Sequence, residues 1–226
     1  MSRRVGNVKY QKRRKSKLQS LLPVIIVGVV AVIIVVGLII LSQHNTTITR
    51  TSVANQTSLG VETAPVKVEE FGDYQCPACG SFFAQMEPAL VSNYINPGKV
   101  YFTFTPFSFI GPESFTAAQA AYCAMDQNKF WEYHDSIYNN QRGENQGGFN
   151  NTILVGFAQK LGLNMDTFNT CFADGNGKYA QLVNDNVAYG NTKNIQQTPS
   201  FLVDGKLVYM DTLLATIDAE LKAKGQ

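Results

Sequence analysis

The chain has 226 residues, of which 19 are basic and 17 acidic, for a formal net charge of +2. Residues 1–20 hold eight of the basic residues and no acidic one, so the rest of the chain carries a net charge of −6. Nucleic-acid binding explains this basic tail poorly, because an apolar run follows it directly and the positive-inside rule accounts for that order. The sequence also contains no Walker loop, dinucleotide fingerprint or Ser-His-Asp set that would support another chemistry.

Residues 21–42 are expected to form a transmembrane signal anchor. The apolar run from Leu21 to Leu41 is interrupted only by Pro23, Gly28 and Gly37, and as a helix its 21 residues would reach about 31 Å, enough to cross a bilayer. A cleaved signal peptide is the alternative, but its apolar region would be shorter and residues 42–45 make a poor cleavage site. We therefore expect a single-pass protein of the cell membrane with residues 1–20 in the cytoplasm and everything beyond the anchor outside.

Residues 43–64 are rich in Thr, Ser, Asn and Gln and poor in large apolar groups. This composition predicts a flexible linker, with the folded domain beginning near Ala64. Disulfides persist outside the cytoplasm, and all four cysteines follow the anchor. They fit two disulfides, or one disulfide and one redox pair.

The domain is expected to open with a strand at 66–71, a tight turn that holds Cys76-Pro77-Ala78-Cys79, and a helix to about residue 95 in which Pro88 introduces a bend. This order places the first sulfur at a helix N-terminus, where the macrodipole and unpaired N–H groups favour an anion. The pKa of Cys76 should therefore lie well below the free-thiol value of about 8.5.

A low-pKa thiol with a second cysteine three residues on is suited to disulfide exchange. A structural disulfide, half of a zinc site and two inert thiols remain alternatives at this point. A zinc site needs about four ligands, and the other candidates form neither a second C-x-x-C nor a spaced histidine pair; they are Cys123, Cys171, His44 and His134. We expect no metal and no cofactor.

The remaining pattern is a strand, a helical stretch and a hairpin. Alternating aromatic residues predict a strand at 99–107, and the spacing from 112 to 194 is mostly helical, with a polar loop at 139–150. Residues 200–209 predict a β-hairpin, and Asp211 is a plausible N-cap for a last helix. The order βαβ, helices, ββα predicts an α/β fold with a small mixed sheet.

Three motifs together resemble the DsbA-like thiol–disulfide oxidoreductases, in particular their membrane-anchored bacterial branch. They are Glu70-Phe71-Gly72-Asp73-Tyr74-Gln75-Cys76-Pro77-Ala78-Cys79, Lys129-Phe130-Trp131-Glu132-Tyr133-His134-Asp135 and Thr198-Pro199-Ser200-Phe201-Leu202-Val203-Asp204-Gly205. The resemblance implies a thioredoxin fold, formed by residues 65–111 and 195–226, with a helical domain at 112–194 inserted in it.

The resemblance also implies roles for individual residues. Cys76 resembles the nucleophile that forms a mixed disulfide with substrate, and Cys79 the buried partner that resolves it. Thr198-Pro199 resembles the cis-proline loop that faces the active-site disulfide and pairs with an extended substrate strand. Substrate binding is accordingly expected at Pro77, Ala78, Thr198 and Pro199.

Glu70 lies six residues before Cys76, where relatives carry a buried acid that relays the proton of the second cysteine. Alternation with Val66 and Val68 places Glu70 on the inward face of the strand; the alternative is an ordinary surface acid.

Strong oxidants of the family often carry histidine between the two cysteines, where this chain has Pro-Ala. We therefore expect Cys76 to be acidic but less so than in those relatives.

Cys123 and Cys171 are 48 residues apart and have apolar neighbours. We expect a structural disulfide that ties two helices of the insert, with two free buried thiols as the alternative. Trp131 and His134 are expected to belong to the core rather than to a binding site.

The predicted function is that of a membrane-tethered oxidase that donates the Cys76–Cys79 disulfide to reduced or unfolded exported proteins. The family implies reoxidation by a membrane quinone-linked protein of the DsbB or VKOR type. A reductase or isomerase of the same fold and a non-catalytic metal-binding or chaperone module are the alternatives.

Overall fold

The structure is a computed structural model, and it describes residues 30, 32–33, 50, 56–175 and 177–226. The chain divides into two compact units, Met1–Thr47 and Ile48–Gln226. In the first unit only Val30, Val32 and Ile33 are described, and they are helical and exposed. The rest of the predicted basic tail and anchor lies outside the described residues. Within the described part of the chain, no helix is both long and apolar enough to span a bilayer.

The second unit is built on a five-stranded mixed sheet in the order β1-β3-β2-β4-β5. The two central strands, β2 and β3, run parallel with Val66 opposite Val100, while the other neighbouring strands pair antiparallel. The strands are β1 Ser58–Leu59, β2 Val66–Gly72, β3 Val100–Pro106, β4 Ser200–Val203 and β5 Lys206–Val208. This sheet confirms the predicted α/β class.

The prediction of a flexible linker over 43–64 is wrong in two places. Ser58 and Leu59 form β1 and pair with Thr103 and Phe102 of β3, and Leu59 is fully buried. Further upstream, the side chain of Arg50 is only 4% exposed. The polar composition concealed these contacts, because one buried leucine and one paired arginine hardly change the average polarity of a segment.

The active-site helix is shorter than predicted. Helix α1 spans Pro77–Gln85, a short helix α2 follows at Glu87–Leu90, and a π-helical turn completes the segment at Val91–Ile95. The break falls at Met86, and Pro88 lies in the first turn of α2. Proline is tolerated there but would remove a hydrogen bond and clash with the preceding turn inside a continuous helix. The predicted bend is therefore a break two residues before the proline.

Between β3 and β4 the chain is helical, and one more helix follows β5. Cys123 and Cys171 are joined by a disulfide with their Cα atoms 5.8 Å apart, the pairing that the sequence predicts. The N-cap of the last helix is Thr212, and no side chain caps it, so the expected cap at Asp211 is wrong. These helices are α3 Pro112–Met125, α4 Phe130–Tyr138, α5 Asn151–Lys160, α6 Met165–Ala173, α7 Lys178–Thr192 and α8 Leu213–Ala223.

An aromatic cluster fills the space between the sheet and helices α1 and α4. The His134 ring lies 4.7 Å from the Phe104 ring, 4.8 Å from Tyr138 and 5.0 Å from Trp131. Burying an aromatic side chain of this size contributes about 1.5–3 kcal/mol of folding free energy. His134 and Trp131 are buried core residues, as the helical spacing predicts.

Candidate active site

Cys76 is the N-cap residue of α1. Its backbone is extended, with φ −68° and ψ 120°, and Pro77 occupies the first turn of the helix. The chain thus passes from β2 through a tight turn into α1, as predicted, with Cys76 at the N-terminus of the helix. Proline suits this position because the missing N–H would have no partner inside the helix.

The pKa of Cys76 is lowered from 9.0 to about 6. The largest contribution is a hydrogen bond from the Cys79 thiol, followed by a contact with Thr198 and by the N–H groups of Cys79 and Ala78, while burial acts in the opposite direction. Taken together, these interactions favour the thiolate more strongly than burial disfavours it. The direction agrees with the prediction from the helix N-terminus.

The pKa of Cys79 is shifted in the opposite direction. It is fully buried, and burial raises its pKa well above the ordinary value, with further increases from Cys76 and from the charge of Glu70. Both sulfurs are free thiols in this structure. The motif therefore holds one sulfur that favours the anion and one that favours the protonated form.

The loop before β4 faces the two sulfurs. The Thr198-Pro199 peptide is cis, as the family resemblance implies, and the carbonyl oxygen of Thr198 accepts a hydrogen bond from Cys76 Sγ at 3.2 Å. A groove of about 460 Å³ runs beside the loop; it is lined by Ala78, Gln197, Thr198, Pro199, Tyr209, Met210 and Asp211. Pro77 is exposed but does not line this groove.

Glu70 lies on β2, opposite Phe104 of β3 and Phe201 of β4. It is 2% exposed, so the alternation argument correctly places it inward. Burial raises its pKa well above the ordinary value, and the charges of Glu87 and Cys76 raise it further. Glu70 is thus a carboxyl group that favours its protonated form near the sulfurs.

Comparison with known proteins agrees with this geometry. A family model described as Thioredoxin matches residues 52–222. The "Probable disulfide bond formation protein D" of Bacillus anthracis is 33% identical over 205 residues, covering 87% of this chain and 94% of the relative. The chain belongs to the DsbA-like thiol–disulfide oxidoreductases. It is accordingly a protein disulfide oxidoreductase.

Two solved structures support the assignment. Oxidised BdbD from Bacillus subtilis is 29% identical with a TM-score of 0.68, covering 76% of this chain and 96% of that one. A thioredoxin-like oxidoreductase from Silicibacter pomeroyi is 25% identical with a TM-score of 0.62, covering 74% and 93%.

Gln141 is a site residue that the sequence analysis of this DsbA-like oxidoreductase missed. Its amide nitrogen donates to the carbonyl oxygens of Tyr74 at 2.8 Å and Cys76 at 3.1 Å. A Cβ at Gly80 would meet the Gln141 amide, so a side chain on the facing turn of α1 would displace Gln141 from this position. Gln141 belongs to a polar, glycine-rich loop, and nothing in that local pattern separates it from solvated neighbours.

Asp73 is a second missed residue. Its buried carboxylate accepts hydrogen bonds from Gln75 N at 2.8 Å, from Ser114 Oγ at 2.6 Å and from the backbone N–H groups of Phe109 and Ile110 at 3.0 and 3.1 Å. It therefore fastens the turn before Cys76 to the chain that leads into α3. Asp73 belongs to the first motif, but its partners other than Gln75 lie 36 to 41 residues away in the sequence.

The described residues offer no group of three or more His, Cys, Asp or Glu side chains able to hold a metal ion. Cys123 and Cys171 are joined in a disulfide, so neither sulfur is free to bind a metal ion. His44 lies outside the described residues.

Proposed function

We propose that this oxidoreductase is an extracytoplasmic, membrane-tethered oxidase that introduces disulfides into exported proteins through a Cys76–Cys79 dithiol–disulfide cycle. The observation that carries the proposal is that the pKa values of the two sulfurs are shifted in opposite directions. The pKa of Cys76 is lowered, which favours its thiolate, and the pKa of Cys79 is raised, which favours its thiol. The names of the curated relatives, which describe disulfide bond formation, support the same direction of transfer.

In the first step, a substrate thiolate attacks Cys76 Sγ of the oxidised pair. A bond forms between the substrate sulfur and Cys76 while the Cys76–Cys79 bond breaks, and its electron pair moves to Cys79. Cys79 then takes up a proton, since burial disfavours its anion. Cys76 is 8% exposed while Cys79 is fully buried, so Cys76 is the more accessible sulfur.

In the second step, another substrate thiolate attacks the substrate sulfur of the mixed disulfide. The bond to Cys76 breaks and its electron pair stays on Cys76, which leaves as a thiolate because its pKa is low. The substrate has lost two electrons and gained a disulfide, and the enzyme holds the reduced pair. A stable leaving thiolate favours transfer of the disulfide to the substrate.

Glu70 is assigned the proton transfer to Cys79. It is buried, its pKa is raised, and its charge affects Cys79. A protonated carboxyl group in this place supplies the proton that Cys79 needs in the first step and recovers it when the pair is reoxidised. Pro77, Ala78, Thr198 and Pro199 are assigned to substrate binding around the groove.

Reoxidation removes two electrons from Cys76 and Cys79, and the family implies a membrane quinone-linked protein of the DsbB or VKOR type. A tether at residues 21–42 would raise the effective concentration of the domain near such a partner. A potential close to that of thioredoxin, about −270 mV, would instead favour reduction by the same fold.

The test is oxidation of a reduced, unfolded protein with two cysteines by the oxidised full chain. The wild type and a Cys123→Ser/Cys171→Ser variant should transfer one disulfide per chain, while Cys76→Ser should transfer none. Equal transfer by Cys76→Ser would remove the proposed mechanism. Net reduction of an oxidised substrate under the same conditions would favour the reductase alternative.

A further inference from the structure

A cavity of about 190 Å³ lies between the loop that follows α4 and helix α5. It is lined by two basic residues, Arg142 from the loop and Lys160 from the last turn of α5, together with the apolar residues Ile153 and Phe157. No acidic residue lines it. Both basic residues are exposed, and within the described part of the chain neither forms an ion pair. We call this cavity the basic pocket.

The loop that carries Arg142 is fixed to the redox turn on both sides of that residue. On one side, the Gln141 amide donates to the carbonyl oxygen of Cys76 at 3.1 Å. On the other side, the backbone N–H of Asn145 donates to Gln75 Oε1 at 2.5 Å. Because consecutive Cα atoms are about 3.8 Å apart, Arg142 starts one such step from a residue that binds the peptide of the reacting cysteine. A polypeptide joined to Cys76 in a mixed disulfide therefore reaches the basic pocket within a few residues.

The size and charge of the basic pocket match an acidic side chain of a bound polypeptide. Pockets for free drug-sized ligands usually have volumes of about 300–1,000 Å³, and this cavity is smaller, at about 190 Å³. A guanidinium group binds a carboxylate through two parallel hydrogen bonds, and Ile153 and Phe157 provide apolar surface for the methylene groups beside that carboxylate. Because residues 21–226 carry a net charge of −6, the chain as a whole repels an acidic segment, and a local pair of cations determines where such a segment binds.

We propose that the basic pocket is a specificity site for disulfide transfer, in which Arg142 and Lys160 bind an aspartate or glutamate side chain of the polypeptide attached to Cys76. The two cations take part in no bond-making step. The inference deepens the proposed function and rests on it, because the substrate of Cys76 delivers the acidic side chain.

A purely structural role for the cations makes a different prediction. A basic residue in the last turn of a helix interacts favourably with the macrodipole, and Lys160 occupies that position in α5. Lys222 occupies the same position in α8, near Lys224, which binds the carbonyl oxygen of Pro65 at the opposite end of β2 from Cys76. If the macrodipole alone mattered, Lys160→Gln and Lys222→Gln would behave alike and would leave any preference among substrates unchanged.

The experiment measures, by stopped flow, disulfide transfer from the oxidised full chain to reduced two-cysteine peptides that differ at one position. That position holds Glu, Gln or Lys and is moved over about two to six residues from the first cysteine, roughly 7–20 Å of extended chain. At the best position and low ionic strength, we expect the wild type to oxidise the Glu peptide roughly fivefold faster than the Gln peptide. Salt should reduce this ratio because it screens exposed charges.

Arg142→Gln and Lys160→Gln should each lower the ratio of the two rates, and Arg142→Glu should invert the preference in favour of the Lys peptide. Gly156→Glu should abolish the preference, because a Cβ at this pocket residue has no neighbour within 4 Å and a carboxylate placed there competes for the same two cations. This substitution also replaces a glycine within a helix by a better helix former, so the variant should fold. Lys222→Gln is the matched control and should keep the wild-type ratio.

An unchanged ratio in Arg142→Gln, equal slowing of all three peptides, or a Gly156→Glu chain that still prefers the Glu peptide would overturn the proposal. A ratio of one in the wild type would also overturn it. If Arg142→Gln in that case weakened binding to phosphatidylglycerol vesicles but not to phosphatidylcholine vesicles, the pocket would be assigned to a lipid surface instead. All of these results leave transfer through Cys76 intact, whereas failure of the proposed function would appear as disulfide transfer by Cys76→Ser.

Discussion

The backbone carbonyl oxygen of Thr198 lies 3.2 Å from the sulfur of Cys76, although 122 residues separate the two. The contact brings the loop before β4 against the N-terminus of α1, and the groove beside the loop is lined by Thr198 and by Ala78, two residues after Cys76. An extended substrate segment bound along that loop would present its own sulfur to Cys76. The site is therefore assembled from the two ends of the domain.

Gln141 should hold the active-site turn in place. Gln141→Ala removes two hydrogen bonds to backbone carbonyls, so we expect a loss of about 1–3 kcal/mol in the free energy of unfolding and roughly tenfold slower disulfide exchange. Urea unfolding and stopped-flow exchange with a dithiol peptide measure the two effects. Asn140→Ala is the matched control, because Asn140 donates only to Ser136 O at an exposed position. Equal behaviour of the two variants would contradict this role.

Glu70 should be needed for proton transfer rather than for structure. Glu70→Gln keeps the shape of the side chain but cannot supply a proton to Cys79, so formation of the mixed disulfide should slow by roughly 10²-fold. The neighbouring Glu69→Gln is the control, since Glu69 faces Thr105 and Tyr189 instead. Quenched-flow analysis of the mixed disulfide measures the step. A wild-type rate for Glu70→Gln would show that solvent supplies the proton.

The same carboxyl group should make stability depend on pH. The pKa of Glu70 is raised above its ordinary value of 4.5 in the folded state, so the folded protein holds this proton more tightly than the unfolded chain. Above pH 4.5 the unfolded chain loses the proton first, and the contribution of Glu70 to stability falls as pH rises through that window. Glu70→Gln should therefore be more stable than the wild type at pH 7, with the difference disappearing below about pH 4. Urea titrations at several pH values test this, and a constant difference would contradict it.

The Cys123–Cys171 disulfide should stabilise the helices without tuning the redox pair. It joins residues 48 positions apart, and closing a loop of that length contributes about 4 kcal/mol in the chain-entropy model. Cys123→Ser/Cys171→Ser should lose stability of this order while the thiolate titration of Cys76 stays unchanged. A shifted titration would mean that the two disulfides are coupled.

The turn around Cys76 could be predicted from the sequence, because a strand, a tight turn and a helix follow one another there. That order alone places Cys76 at a helix N-terminus, which predicts a lowered pKa. The inward position of Glu70 followed from the period of two along β2. The Thr198-Pro199 loop came only from the family resemblance, since no local pattern joins it to Cys76.

Other parts of the site depend on tertiary contacts that leave little trace in the sequence. Gln141 belongs to a polar loop and Arg50 to a polar segment, and both are typical of solvated chain until their partners are known. The break at Met86 was missed because proline at 88 is compatible either with a bent helix or with the start of a new one.

The central claim is that the two sulfurs of one motif ionise in opposite directions, and site-resolved alkylation of the reduced full chain against pH tests it most directly. Mass spectrometry of the alkylated peptides should show Cys76 reacting with a midpoint at a pH of about 6, while Cys79 stays unreactive until well above its ordinary value of 9.0. A shared midpoint at the ordinary cysteine value of 9.0 would contradict the account.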